Sequence, residues 1–301
     1  MGYGRRNHGT QGRSALSKKN NLLSQLFGNK QQTKTVTFGD SSFVNAPGGR
    51  IWTFISIFSL LFIWILSSIF EWVKPVYWPP IDAVWHQFIS ISTDGFRSHT
   101  LLEHTIASVN RVLAGFFFGC LIGIPLGFAL ALSKIMNRIF DPLVEFFRPM
   151  PPLALIPLVI LWLGIDESAK IFLLFLASIW IMALATRAGA MSTNLSKVHA
   201  AYTLNANKRQ ILFHVILPNA LPEIFTGMRV AIGVCWGTVV AAELVAAESG
   251  LGMMIMVASK YLSTDIVVLG VILISLIAYA IDILMRYLER KFVPWRGKVK
   301  H

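Results

Sequence analysis

The sequence predicts an all-α, polytopic membrane protein with six transmembrane helices. Of its 301 residues, 54% are hydrophobic and 14% are charged, whereas ordinary soluble domains carry roughly a quarter charged residues. The hydrophobic residues form long runs. One of them, residues 51–70, has no charge and is long enough to cross a hydrocarbon core of about 30 Å. Basic residues gather at the ends of these runs and in both tails, as the positive-inside rule describes.

The net charge of +12 does not indicate nucleic-acid binding, because no basic stripe interleaved with aromatic residues is present. Residues 1–50 hold many of the basic residues and one acid, Asp40, among Gly, Asn, Gln and Ser. This composition predicts a disordered basic tail on the cytoplasmic face.

The first span, 51–70, is followed by Trp and Tyr residues around Pro79 and Pro80. Such aromatic residues are typical of the membrane interface, so we place residues 71–100 outside, with a short amphipathic helix after the prolines. The six predicted spans cover residues 51–70, 105–133, 139–165, 169–190, 222–246 and 265–288. Together they form a transmembrane domain, 51–290, and they leave a cytoplasmic C-terminal tail, 291–301.

The second span carries glycines at a strict period of four. This period keeps them close to one helix face, where a neighbouring backbone can approach. Pro125 lies in the same span and should kink it. The predicted packing residues are Gly115, Gly119, Gly123 and Gly127.

Lys134 and Arg138 mark a cytoplasmic turn before the third span. That span is interrupted by the proline-rich segment 148–152 and again by Pro157. Breaks of this kind are tolerated at membrane depth where the backbone packs in protein or lines a cavity.

No catalytic residues and no metal ligands are predicted. The sequence has no GxxxxGK[ST] phosphate loop and no GxSxG, HExxH or CxxC motif, so nothing favours an enzyme. Cys120 and Cys235 lie in apolar runs and behave as small hydrophobic residues. Five histidines are expected at surfaces or interfaces: His86, His99, His104, His199 and His214.

Charged residues inside the spans are candidates for a substrate pathway, because an unpaired charge at mid-bilayer costs about 2.5–3.5 kcal/mol. Glu145 and Arg148 are three residues apart and can share a helix face. Arg111 either extends to the outer interface or faces the pathway. Glu243 either belongs to the pathway or forms a structural hydrogen bond to a neighbouring helix.

The segment 196–227 is a basic, helical interruption between hydrophobic runs. It carries Lys197, Lys208 and Arg209, with no acidic residue before Glu223. We interpret it as the docking surface for a cytoplasmic partner.

This segment resembles the conserved loop of binding-protein-dependent ABC importer permeases, which reads Glu-Ala-Ala, three residues, Gly, nine residues, Ile, one residue, Leu-Pro. Here His, Asn and Val replace Glu, Gly and Ile at the same spacing. Asn can still adopt a left-handed turn, whereas the contact that Glu would make is lost. The resemblance implies an ATPase-coupling element within the loop 191–221, comprising His199, Ala200, Ala201, Asn205, Ala206, Leu217 and Pro218.

The resemblance extends from about residue 51 to the C-terminus. Segments 148–165, 214–247 and 249–252 are similar to the nitrate/sulfonate/taurine branch of these permeases, and the tail VPWRGK is most like that of taurine permeases. The implied fold is that of type I ABC importer permeases.

The implied assembly is a homodimer in the cell inner membrane, with both termini cytoplasmic. Each copy docks one subunit of an ATPase dimer, and a periplasmic or lipid-anchored binding protein delivers the substrate. No cofactor is expected in this chain, since ATP and Mg²⁺ belong to the ATPase. Nucleic acid is not an expected partner.

The expected cargo is a small anion, with taurine or another alkylsulfonate first. Nitrate, bicarbonate or a thiamine-type pyrimidine precursor is the alternative cargo. A secondary transporter or channel without an ATPase is more remote, because neither inverted repeats nor an intramembrane acid relay is evident. A membrane-embedded enzyme is disfavoured by the lack of a catalytic cluster.

Overall fold

A computed structural model describes residues 49–70 and 72–295 of the chain. Residues 1–48 of the predicted basic tail lie outside the described residues. Residues 296–301 of the predicted C-terminal tail lie outside them as well. Within the described ranges the regular structure is helical, apart from one bridging pair, Phe96 and His99. The predicted all-α class is confirmed.

Eleven helices are described in residues 49–70 and 72–295. A 3₁₀ turn, Pro152–Leu155, lies just before the helix that begins at Ile156, and a π-helical turn, Leu212–Ile216, lies just before the helix that begins at Leu217. The helices are α1 Gly49–Ile69, α2 Ile81–Thr93, α3 Leu101–Leu132, α4 Lys134–Phe147, α5 Ile156–Leu163, α6 Glu167–Met191, α7 Leu195–Thr203, α8 Lys208–Ile211, α9 Leu217–Ala246, α10 Leu251–Lys260 and α11 Thr264–Phe292.

The chain divides into two compact units between Phe62 and Ile63. The described part of the first unit is the N-terminal part of α1, whose Trp52 and Phe58 are exposed. In the second unit, Trp64 at the end of α1 donates from its indole Nε1 to the backbone oxygen of Pro79 at 3.0 Å.

Four helical segments in the described residues are long and apolar enough to cross a membrane: α3, α6, Lys208–Leu244 and α11. A fifth span is possible if α4 and the segment Pro152–Leu163 count together, although an angle of 89° separates their axes. This bend lies at the predicted proline-rich break, where missing N–H groups interrupt the helical ladder. The predicted span at 51–70 corresponds to α1, whose apolar part, Phe54–Ile69, is shorter.

Three boundaries differ from the predictions. Lys134 and Arg138 lie inside α4 rather than in a turn, because the Ser133 hydroxyl accepts the Met136 N–H at 3.3 Å and caps the helix. The helix α9, which contains the predicted fifth span, begins at Leu217 and not at residue 222, since Pro218 lies in its first turn and needs no N–H partner there. The segment between the fifth and sixth predicted spans contains the helix α10, which the sequence analysis did not predict because its ten residues are too few to cross a membrane.

The centre of the second unit is the contact between α3 and α6. The four periodic glycines of α3 are all buried on the face toward α6. A β-carbon on Gly119 would collide with Ser178, and one on Gly123 would lie 2.7 Å from both the Ile179 backbone oxygen and the Met182 β-carbon. The close approach of the two backbones therefore requires glycine. The helix α3 continues across Pro125.

Candidate functional site

Arg111 lies on α3 and is 4% exposed. Its Nε and Nη2 donate to the two carboxylate oxygens of Glu167, at the start of α6, over 2.6 and 2.7 Å. Its Nη1 donates to Oε1 of Glu243 on α9 at 2.7 Å and to the backbone oxygen of Ser249 at 2.7 Å. Bidentate, charge-assisted hydrogen bonds are among the strongest and most directional. This guanidinium therefore holds α3 to the start of α6, to α9 and to the backbone at Ser249.

Glu243 is buried, and both of its carboxylate oxygens have partners. Oε1 accepts from the Ser108 hydroxyl at 2.7 Å as well as from Arg111, and Oε2 accepts from the Gly252 N–H at 2.8 Å. Gly250 has a φ of +136°, and a β-carbon there would collide with the Glu243 carboxylate. Glycine at position 250 therefore allows both the backbone conformation and the approach of the carboxylate.

The cluster is balanced in charge. Lys170, one turn after Glu167, donates from Nζ to Glu167 Oε1 at 2.7 Å. Two cations, Arg111 and Lys170, thus face two carboxylates, Glu167 and Glu243. Glu167 is 57% exposed, whereas Arg111, Lys170 and Glu243 are buried. Buried charges in a membrane protein are tolerated when they are paired and hydrogen-bonded, and these three meet that condition.

The start of α10 is held by side chains of α3. The Gly250 N–H donates to His104 Nδ1 at 3.0 Å, and the Leu251 N–H donates to the Ser108 hydroxyl at 2.9 Å. Since Nδ1 accepts, the ring proton belongs on Nε2, which lies 3.0 Å from the backbone oxygen of Phe96 and donates to it. These contacts satisfy N–H groups that a helix start leaves unpaired.

The second candidate site is the helical loop between α6 and α9. The Asn194 side chain accepts the Ser196 N–H at 2.9 Å and caps α7. Asn207 and Gln210 cap α8 reciprocally, each side chain accepting the other's backbone N–H at 2.8–2.9 Å. Between these helices Asn205 has a φ of +60°, the left-handed conformation that the sequence analysis expects there.

The loop has an inward and an outward face. Ala201 and Ala206 pack with Val198 against a buried cluster that includes Ile211 and Ile216. On the other face the side chains are exposed: His199, Ala200, Tyr202 and Leu204. Leu204 is 83% exposed. The outward face of the loop therefore presents apolar side chains, Tyr202 and Leu204, to its surroundings.

Ion pairs at the opposite end of α6 and on α9 lie apart from the first cluster. Arg187 pairs with Asp141 and joins α6 to α4. Arg229 on α9 pairs with Asp282 on α11 at 3.0 Å, and Arg286 pairs with the same carboxylate at 2.6 Å. These contacts tie α4, α6, α9 and α11 together.

Comparison with known families gives a match over residues 123–294 to the family described as binding-protein-dependent transport system inner membrane component. The taurine transport system permease protein TauC of Escherichia coli is 41% identical over 242 residues, which are 80% of this chain and 88% of that protein. The chain belongs to this family. The predicted resemblance to binding-protein-dependent ABC importer permeases is thereby confirmed.

Other relatives of this permease are named for different cargoes. A putative aliphatic sulfonates transport permease, SsuC of Escherichia coli, is 37% identical over 77% of this chain and 87% of that protein. The bicarbonate transport system permease CmpB of Synechococcus elongatus is 34% identical over 63% of this chain and 69% of that protein.

The fold of the permease is also that of solved transporters. A chain of the MetNI methionine ABC transporter, from a structure of its inward-facing conformations, superposes with a TM-score of 0.54 at 20% identity. The match covers 73% of this chain and 99% of that chain. The predicted type I ABC importer permease fold is confirmed.

The structure brings together two of the four residues that the sequence analysis assigned to a pathway. Arg111 and Glu243 are direct partners. Glu145 and Arg148 are both exposed, and no ion pair joins them within the described residues, although Arg148, the C-cap of α4, keeps helical backbone angles. The expected pairing along one helix face is therefore not formed.

Several members of the buried cluster were missed from the sequence. The sequence analysis did not include Glu167 or Lys170 among the candidate residues, and it expected His104 at a surface or interface, whereas His104 is fully buried. A pattern was available, since His104, Ser108 and Arg111 continue the glycine face of α3 toward its N-terminus at helical spacing. The partners on α6 and α9 are distant in sequence and give no comparable pattern.

Proposed function

We propose that this permease is one half of a homodimeric pathway in an ATP-driven importer, and that its loop 196–213 docks a separate ATPase subunit. The observation that carries the proposal is the folded loop itself. It is a capped helical element with exposed apolar side chains, and it matches the motif of ABC importer permeases in spacing. ATP and Mg²⁺ would be bound by the ATPase, and an external binding protein would deliver the substrate.

The orientation follows from the same proposal. A loop that contacts an ATPase must lie in the cytoplasm, and an even number of spans then places both termini there as well. The basic residues of this loop and of the two tails support that orientation through the positive-inside rule. The protein would be a multi-pass component of the inner membrane, with residues 51–290 as its transmembrane domain.

The outward face of the loop provides the sharpest test of docking. Leu204→Asp places a charge on an 83% exposed side chain, so the fold should survive while the contact with the ATPase is lost. Ala201→Asp is a weaker test, because Ala201 packs inward and the new charge would disturb the loop itself. The measurement is co-purification of the ATPase subunit with the full-length permease from membranes, together with uptake.

The matched control is Leu102→Asp, at another exposed leucine, 67% accessible, in the first turn of α3. It should retain the ATPase. If Leu204→Asp also retained the ATPase and transported at the wild-type rate, docking through this loop would be wrong.

For the cargo, we propose a small anion, with taurine or another alkylsulfonate first. The support is the 41% identity to the taurine permease TauC and the 37% identity to the sulfonate permease SsuC. The test is uptake of labelled taurine and alkylsulfonates by the permease reconstituted with its ATPase and binding protein. Absence of uptake for every sulfonate would refute this choice while leaving the importer function intact.

The alternative cargo is nitrate, bicarbonate or a pyrimidine precursor. A specific observation favours bicarbonate among these, since the bicarbonate permease CmpB is 34% identical over 191 residues. Including labelled bicarbonate and nitrate in the same uptake assay separates these cargoes from sulfonates.

A further inference from the structure

The C-terminal segment Val293–Trp295 follows α11, and its Trp295 lies beside the helical loop. Val293 is 2% exposed and packs in one cluster with Phe225 of α9 and Met285 of α11. Its N–H donates to the backbone oxygen of Glu289 at 2.8 Å. The following proline has a restricted φ. The backbone is therefore held in place up to Pro294, the residue before Trp295.

Trp295 and the loop line one groove of about 440 Å³. We call it the tail groove, and its lining residues are Lys197, His214, Val215, Pro218, Asn219 and Trp295. Trp295 is 39% exposed, so its ring is available to a binding partner. One wall comes from α7, another from the start of α9, and the third from Trp295.

The groove is electropositive and lacks a compensating charge. Lys197 is exposed and has no ion-pair partner among the described residues, and residues 188–222 contain no Asp or Glu. A second groove shares the C-terminal segment through Val293 and Pro294, and two of its cations differ from Lys197 because Arg229 and Arg286 both pair with Asp282. An unpaired lysine beside a half-exposed tryptophan combines the two features that favour binding of an acidic protein segment: charge complementarity and an aromatic anchor.

We propose that the tail groove binds an acidic surface segment of the ATPase subunit, so that the C-terminal segment and the helical loop form one docking surface. This inference rests on the proposed function, because it takes the loop as the ATPase contact. It adds a second element, and it connects the ATPase directly to α11 through Val293. A movement of the ATPase would then act on α9 and α11 together.

The test compares Trp295→Ala with Trp85→Ala, a tryptophan of α2 that is 62% exposed. The assay measures binding of the cognate ATPase subunit to the full-length permease in detergent. Trp295→Ala should weaken binding by about tenfold or more, since truncation of an interface tryptophan is commonly among the costliest changes. Trp85→Ala should leave binding unchanged.

A second variant tests the charge. Lys197→Glu should weaken binding strongly at low salt, and the difference from wild type should shrink as salt rises, because screening weakens charge pairs that are exposed to solvent. A loss of binding that is independent of salt would refute the acidic partner.

Leu204→Asp separates the two proposals. If Leu204→Asp abolishes ATPase binding and Trp295→Ala binds as wild type does, the tail groove is not part of the docking surface and the proposed function stands. If neither variant affects binding, the proposed function fails as well. The assay is repeated with added phosphatidylglycerol, and an effect of Trp295→Ala that appears only with this lipid would identify a lipid head group as the occupant and overturn the inference.

Discussion

Removal of the Glu243 carboxylate is the most informative perturbation of the buried cluster. In Glu243→Ala, Arg111 loses one of its two carboxylate partners, and the Gly252 N–H and the Ser108 hydroxyl lose their acceptor. Breaking a buried pair by removing one partner costs about 3–5 kcal/mol. Glu167 still binds Arg111 through two hydrogen bonds, so we expect the lower end, about 3 kcal/mol.

The assay is thermal unfolding of the purified permease in detergent. At about 2–4 °C per kcal/mol for a chain of roughly this size, the expected decrease in Tm is about 6–12 °C. The matched control is Glu248→Ala, since Glu248 is exposed and has no ion pair among the described residues; its Tm should stay within about 1 °C of wild type.

A double variant separates lost pairing from lost shape. Arg111→Met combined with Glu243→Leu removes both charges and leaves the pair of Glu167 and Lys170 in place. Because replacing a buried ion pair by apolar residues of similar size is often close to neutral, its Tm should lie above that of Glu243→Ala. A wild-type Tm for Glu243→Ala would refute a stabilising role of this carboxylate.

Three further predictions concern packing, the loop and the pathway. Gly119→Ala should destabilise the permease by about 1–3 kcal/mol and lower its Tm, because the added β-carbon would collide with Ser178. Its control, Gly233→Ala, should not lower Tm, because no atom lies within 4 Å of the added carbon. Asn205→Val should destabilise the loop by about 1–2 kcal/mol and Asn205→Gly should be tolerated, since position 205 has a positive φ; limited proteolysis of the loop measures both. Arg148→Ala should reduce uptake while ATPase co-purification stays at the wild-type level.

Each of these has a contrary result. Equal Tm values for the two glycine variants would show that α3 and α6 can separate without cost. Equal protease resistance of the two Asn205 variants would show that the left-handed turn does not limit loop stability. Loss of folded protein in Arg148→Ala would give that arginine a structural role in place of one in the pathway.

The apolar runs and their charged ends predicted the fold well, because hydrophobic length and the position of charges are local properties of the sequence. The period-four glycines on α3 predicted a close helix contact for the same reason. Which helix they contact was not predictable, since Ser178 and Met182 of α6 carry no mark of that contact. Asn205 was recognisable because few residues other than glycine adopt a left-handed turn.

The short helix α10 and the buried cluster were not predictable from local patterns. The mostly apolar ten-residue segment after Gly250 is compatible with a loop, a buried helix or an interfacial segment. Their helical start depends on His104, Ser108 and Glu243, which are more than one hundred residues away or on another helix. Such tertiary capping becomes visible only when the helices are assembled.

The geometry of the cluster bears on how the permease treats an anion. Arg111 was a candidate for the substrate pathway, yet its donors already serve Glu167, Glu243 and the Ser249 carbonyl. A sulfonate that reached it would have to displace a carboxylate. Displacement of Glu243 would leave a buried carboxylate without its cationic partner, at a cost of about 3–5 kcal/mol, whereas Glu167 is 57% exposed and keeps its pair with Lys170. The new contact would only replace hydrogen bonds of the same charge-assisted kind, so displacement gives no net gain. Arg148 differs in being exposed and without an ion pair among the described residues. We therefore propose that an anion in transit meets Arg148 and not Arg111, whose side chain links α3, α6 and α9.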